Sequence, residues 1–91
     1  MRFEDALFNW LQIKIVADAR ADDRAAQDTA QFFYEILVED HKLTDIAVVE
    51  HGENMLRMTY RHDGEPGHKT FDREMIEQLL HDINMNPKYN E

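Results

Sequence analysis

The apolar positions of residues 3–19 lie on nearly every side of a predicted helix. The segment contains neither glycine nor proline, which favours a helix. At about 100° per residue its apolar side chains cover roughly two-thirds of the circumference, whereas a surface helix needs an arc of about 100°. So wide an apolar surface must be covered on two sides. In a chain of only 91 residues, the pattern predicts that another subunit supplies one of these covers.

Two aromatic side chains indicate which part of this helix faces the second subunit. Phe8 and Trp10 lie roughly 160° apart around the helix axis, so the pattern predicts that they cannot both face one core. Phe8, Leu11 and Ile15 form the predicted interface edge, because large aromatic residues contribute strongly to binding. Since closed twofold dimers are the commonest assembly, a homodimer is expected.

Residues 23–39 show the pattern of an ordinary amphipathic helix. Asp22 is a typical N-cap residue, which predicts a break near Ala21 and a hairpin of two helices. One continuous helix over residues 3–40, about 57 Å long, is also compatible with the pattern and would need a coiled-coil-like partner.

A strand of residues 46–49 and a second strand of residues 55–62 are predicted around a turn at residues 52–54. If His51 faces Met55 across the turn, the register of the two strands follows. The predicted pairs are Val48 with Met58 and Ile46 with Tyr60 on the buried face, and Asp45 with Arg61 on the other face.

The remaining segments predict a loop, a short strand and a third helix. Residues 63–67 have the composition of a loop, and residues 68–71 can return as a strand. Asp72 is the predicted N-cap of the helix, and Phe71 and Ile76 are spaced to form a hydrophobic staple. The predicted buried stripe of this helix consists of Met75, Ile76, Leu79, Leu80 and Ile83.

The order of these elements predicts an α+β fold, α-α-β-β-(β)-α, in which a helical hairpin and a C-terminal helix pack on a small antiparallel sheet. Residues 1–83 are predicted to form one domain, and residues 84–91 a flexible C-terminal tail.

Composition excludes several kinds of chemistry. The chain has no cysteine and no serine, which removes disulfides, thiolate metal sites and both common nucleophiles. Its formal net charge of -9 would repel a phosphate backbone, so nucleic acid is not an expected partner. No apolar run has the length of a membrane span and no export signal is recognisable, so a cytoplasmic location is expected and no membrane partner is predicted.

One set of residues is a candidate metal site. His62 and His68 flank the predicted loop, and Asp63 or Glu65 could supply a third ligand, since imidazole and carboxylate together suit zinc and similar ions. Two solvated loop histidines would give the same pattern. Carboxylate pairs such as Glu35 and Glu39 lie on a polar helix face and carry no comparable signal.

These observations leave two main hypotheses of function. The first is a non-enzymatic protein-interaction module, a homodimeric adaptor or regulator that uses no cofactor and contacts itself and possibly another protein. The second is a small ligand- or divalent-metal-binding protein that uses the loop of His62, Asp63 and His68. A catalytic role that uses Tyr34, Tyr60 and nearby carboxylates is a third, less favoured hypothesis.

Overall fold

A computed structural model describes residues 2–85 and has the α+β architecture that the pattern predicts. The elements, in chain order, are helix α1 (Phe3–Ala19), helix α2 (Arg24–Glu35) with a π-helical continuation (Ile36–Asp40), strands β1 (Leu43–Glu50), β2 (Met55–His62) and β3 (Glu65–Asp72), and helix α3 (Arg73–Met85). The three strands form one antiparallel sheet in the order β1-β2-β3.

Helix α1 is the central element of the domain. It packs against α2 and α3, and its buried side chains join those of β2 in the main core. Trp10 is buried in that core and the half-buried Phe8 packs against it, so the prediction that the two cannot both face one core is wrong. The chain itself surrounds this helix, which explains the wide apolar arc without a second subunit. The fully buried residues of the core include Leu7, Leu11, Leu37, Leu43, Met58 and Ile76.

A short break separates α1 from α2, which confirms the helical hairpin. The N-cap of α2 is Asp23 and not the predicted Asp22, because the carboxylate of Asp23 accepts a hydrogen bond from the amide of Ala26 at 3.0 Å. Nε of Arg20 lies 3.2 Å from the same carboxylate. The hydrogen bond from Ala26 and the one from Arg20 lower the pKa of Asp23.

The β1–β2 pairing confirms the predicted register at Val48 and Met58 and adds a bulge that the pattern did not show. The bulge lies between Thr44 and Ala47, where Asp45 has a φ of 53°. Because one extra residue reverses the alternation of side chains, both Leu43 and Ile46 reach the core from one strand.

The bulge breaks the other two predicted pairs, because Arg61 pairs with Thr44 and not with Asp45, and Ile46 does not pair with Tyr60. Oδ2 of Asp45 nevertheless lies 3.5 Å from Nε of Arg61, so these two side chains form an ion pair.

A two-residue turn joins β2 to β3, so the predicted loop of residues 63–67 is too long. Asp63 and Gly64 have φ values of 54° and 81°, the conformation of a type I′ hairpin turn. Strand β3 therefore begins at Glu65 and includes Pro66 and Gly67.

Helix α3 begins as predicted, because the carboxylate of Asp72 accepts hydrogen bonds from the amides of Glu74 at 2.9 Å and Met75 at 3.4 Å. Phe71 packs against the core cluster that contains Ile76, as the staple requires. Met75 is 62% exposed, however, so it does not belong to the buried stripe. The helix also includes Asn84 and Met85, the first two residues of the predicted tail, and the rest of that tail lies outside the described residues.

Candidate interaction site at a sheet edge

The strand order leaves the sheet with two edges, one on β1 and one on β3. Within residues 2–85, no other strand pairs with either of them. An edge strand presents backbone N–H and C=O groups that can pair with another chain, and proteins usually block such edges with proline, charged residues or bulges. The two edges of this sheet differ in how far they are blocked.

The β3 edge carries two blocking features, Pro66 and Lys69. His62 and Glu65 flank the two-residue turn and form a hydrogen-bonded pair. Hydrogen-bonded pairs recur at every second residue, so the next pair, Arg61 and Pro66, is not hydrogen-bonded. The backbone of Pro66 therefore faces away from β2, toward the free edge. Proline has no N–H to donate there. Gly67 follows, and Lys69 places a charge toward the helical layer, where its Nζ lies 2.7 Å from Oε1 of Glu4.

The β1 edge contains none of these features between the bulge and the turn. Its sequence there is Ala47-Val48-Val49-Glu50, without proline, glycine or a basic residue. The amide of His51 donates to the carbonyl of Met55 at 3.1 Å. Hydrogen-bonded positions alternate along an antiparallel strand, so the backbone groups of Val49 and Ala47, like those of His51, bond to β2. The amides and carbonyls of Val48 and Glu50 point instead to the free edge.

A groove runs beside this edge, between β1 and helix α2. Its volume is about 520 Å³, and its walls include Trp10, Tyr34, Ile46 and Val48. The rings of Trp10 and Tyr34 lie 5.9 Å apart, and Tyr34 is 38% exposed. An added strand would therefore meet both free backbone groups and an aromatic wall, which is the arrangement used in β-strand addition.

Charged side chains flank the edge but are paired within the chain. Asp45 is bonded to Arg61, and Oε1 of Glu50 lies 3.3 Å from a guanidinium nitrogen of Arg73. Val49 lies between them along the strand and is 45% exposed. The centre of the edge is consequently apolar and uncharged.

The interface residues predicted on α1 belong to the core of the domain. Leu11 is fully buried, and Ile15 is half-buried and packs against the main cluster. The ring of Phe8 lies 6.1 Å from that of Phe71 in β3. These three side chains do not form a free surface, so the structure gives no support to an interface at α1.

The three residues of the predicted metal site are not brought together. His62 Nε2 lies 3.8 Å from Oδ2 of Asp63, and the His62 ring stacks on Phe3 at 6.3 Å. His68 pairs with Thr59, which is next to the core-facing Met58 in β2. Because successive side chains of a strand point to opposite faces, Thr59 and His68 lie on the face of the sheet away from the core. Among the residues from 2 to 85, no three histidine, aspartate or glutamate side chains are grouped to hold a metal ion.

A strand pattern does not say where a strand lies in its sheet, so the pattern of β1 alone does not predict an open edge. A signal was nevertheless present in the sequence. Pro66, Gly67 and Lys69 mark one strand as a blocked edge, and the segment Ile46–Val49 lacks any such residue.

Comparisons of this chain with protein-family models, with curated proteins and with solved structures found no match. No helix within residues 2–85 is both long enough and apolar enough to cross a membrane.

Proposed function

We propose that this chain is a non-enzymatic protein-interaction module, an adaptor or regulator, that forms a homodimer by strand addition at the β1 edge. The difference between the two sheet edges carries the proposal. A small antiparallel sheet that blocks one edge with Pro66 and Lys69 and leaves Ile46–Val49 open has one strand suited to pairing. A chain without cysteine also suits the reducing cytoplasm, where we expect the module to act.

The metal-binding alternative has no comparable support. Its three residues are divided between the two faces of the sheet, and the pairing of His68 with Thr59 fixes that division.

A charge placed on the open edge tests the proposal. Val49→Lys adds an exposed lysine to β1, and lysine on an edge strand is one of the features by which natural sheets resist pairing with another chain. Sedimentation equilibrium at micromolar concentration should give the wild type about twice its chain mass of 10.8 kDa, and the variant a mass near 10.8 kDa.

His68→Lys is the matched control, because it places the same charge on the same face of the sheet at the other edge. It should sediment like the wild type. A monomeric wild type, or equal effects of the two lysines, would show that the β1 edge does not mediate association.

A further inference from the structure

We propose that the outer face of the sheet, the face away from the helices, binds a carboxylate side chain of an acidic partner peptide at Arg57. This surface is distinct from the β1 edge, so the inference goes beyond the proposed function and does not depend on it. Two observations carry it, the lack of a carboxylate partner for Arg57 within residues 2–85 and the donor-rich hollow beside this arginine.

The outer face is rich in hydrogen-bond donors. Leu56 and Met58 of β2 face the core. Because successive side chains of a strand point to opposite faces, the outward residues of this strand are Arg57, Thr59 and Arg61. Their partners on the two neighbouring strands lie on the same face, namely Thr44, Ala47, Val49, Pro66, His68 and Thr70. Three of the four threonines of the chain, which has no serine, are therefore on this face.

Arg57 differs from the other half-buried lysines and arginines of the domain. Within residues 2–85 there are five such residues, and four of them form ion pairs with carboxylates: Lys14, Arg20, Lys69 and Arg73. Arg57 is the exception, although the chain has 19 acidic residues and only 10 lysines and arginines. A charge that is partly removed from water is stabilised by a counter-charge. A carboxylate from outside the chain would supply it.

Two side chains that are not acids hold the guanidinium of Arg57 in place. Its Nε donates to Oγ1 of Thr70 at 3.4 Å, and its Nη2 lies 3.2 Å from Nε2 of His51. Its Nη1 makes no hydrogen bond to any residue from 2 to 85. A planar guanidinium can bind a carboxylate through two parallel hydrogen bonds. Because the side chain is already held, less conformational freedom is lost when a ligand binds.

A hollow of about 470 Å³ opens on the outer face, and Arg57, Thr59, Arg61 and His68 are among the residues that line it. Further donors thus surround the space next to Arg57. Arg61 already has a counter-charge, because Oδ2 of Asp45 lies 3.5 Å from its Nε. One guanidinium of the hollow is consequently left for a ligand.

The charge of the hollow favours a carboxylate over a phosphate group. A carboxylate carries one negative charge and balances Arg57, whereas a phosphate monoester carries nearly two at neutral pH. The second charge would find no free cation in the hollow of a chain whose formal net charge is -9. Nucleic acid is disfavoured for the same reason, since its backbone is bound by several cations at once.

The apolar residues beside Arg57 favour a peptide as the source of the carboxylate. Val49 is the cross-strand neighbour of Arg57 on β1 and is 45% exposed, and the exposed Ala47 lies next along the same face. Interfaces between proteins combine apolar contacts with polar groups in this way. We therefore expect an extended segment in which an acidic residue and an apolar residue share one face, as residues i and i+2 do.

Peptide titration followed by NMR tests the inference. The probe is acetyl-Val-Thr-Glu-Thr-Val-amide, whose glutamate and valines share one face of an extended chain. The Nε–Hε signal of Arg57 and the backbone amide signals of Thr59 and Thr70 should shift and saturate. The same peptide with glutamine in place of glutamate should bind at least about 10-fold more weakly, because it cannot form the charge-assisted pair.

Arg57→Gln removes the proposed site, and Arg24→Gln is the matched control, because Arg24 is an exposed arginine of α2 and the two substitutions change the net charge equally. Circular dichroism confirms that both variants fold. Arg57→Gln should lose at least about 10-fold in affinity for the glutamate peptide. Arg24→Gln should bind this peptide like the wild type.

Equal binding of the glutamate and glutamine peptides to the wild type would overturn the inference, and so would equal affinities of the two arginine variants. Tighter binding of the same peptide with phosphoserine in place of glutamate would contradict the choice of a carboxylate. A monomeric wild type that binds the glutamate peptide through Arg57 would overturn the proposed homodimer and support the binding site on the outer face.

Discussion

The two edge strands of this sheet have the same length, but only β3 is protected against pairing with another chain. β1 and β3 each have eight residues, and each pairs with β2, β3 along its whole length and β1 on both sides of its bulge. Yet β3 carries Pro66, Gly67 and Lys69, whereas the regular part of β1 is a run of apolar residues. Both strands are edges in the isolated chain, so their positions in the sheet do not explain the difference in composition.

The comparison shows how a small domain can restrict association to one side. A proline at an outward backbone position removes a donor and leaves pairing with the inner neighbour intact. An inward lysine must keep a partner, and Lys69 finds one in Glu4 of α1. The bulge of β1 lies toward its N-terminal end and leaves Ala47–Glu50 regular.

Removal of the protection from β3 should produce the largest effect. In the double variant Pro66→Thr, Lys69→Val, the second edge gains an outward N–H and loses its inward charge. A chain with two open edges can add copies on both sides, so sedimentation velocity should show assemblies larger than a dimer.

Addition of Val49→Lys to that double variant closes the β1 edge again and should return the protein to small species. If the double variant keeps its fold by circular dichroism and remains a dimer, Pro66 and Lys69 do not protect β3 and the comparison of edges fails.

The order of elements could be predicted because each segment carries its own pattern. The alternation of Met55–His62 predicts a strand, and Asp72 with Phe71 and Ile76 predicts the start of the last helix. The wide apolar arc of α1 predicts a second subunit incorrectly, because periodicity shows how much surface must be covered and does not show what covers it. In the fold, two helices and the sheet cover it.

The details of the sheet were harder to predict. The Asp63-Gly64 pair is a strong signal for a type I′ turn, but Pro66 beside it suggested a loop, since proline is usually excluded from strands. Pro66 is accepted in β3 because its backbone faces the outer edge. The bulge at Asp45 has no such signal in the sequence. The edge position of β1 follows from the order of the three strands in the sheet, and the sequence pattern predicts only which neighbouring segments pair.

A substitution at Gly67 should lower the stability of the fold without changing the association of the protein, an effect of intermediate size. A Cβ at this position would lie 2.6 Å from Cε2 of Tyr60, so Gly67→Ala forces the tyrosine ring away from its place against Phe3. Overpacking of this kind typically costs about 1–3 kcal/mol, which urea unfolding would measure. The dimer should persist, because Pro66 and Lys69 still block the edge.

The double variant Tyr60→Leu, Gly67→Ala is the control, since the smaller side chain leaves room for the new methyl group. The two changes together should cost less than the sum of the single changes. Additive costs would show that the ring of Tyr60 does not determine the need for glycine in β3.

The smallest effect should be seen at the ion pair that holds Lys69. The hydrogen bond from Lys69, followed by its positive charge, lowers the pKa of Glu4 from its ordinary value of 4.5. Since the folded-state pKa is the lower one, this pair stabilises the fold above the unfolded-state pKa, and its contribution is lost as the pH falls from about 4.5 through the folded-state pKa. Lys69→Met should raise the pKa of Glu4 in a carboxyl NMR titration and weaken the dependence of stability on pH in that window.

Lys14→Met removes a different ion pair of α1, to Asp18, and should leave the pKa of Glu4 unchanged. A pKa of Glu4 that is the same in all three proteins would mean that Glu4 does not hold Lys69 in solution, and that the charge on the inner face of β3 is free to turn away from the edge.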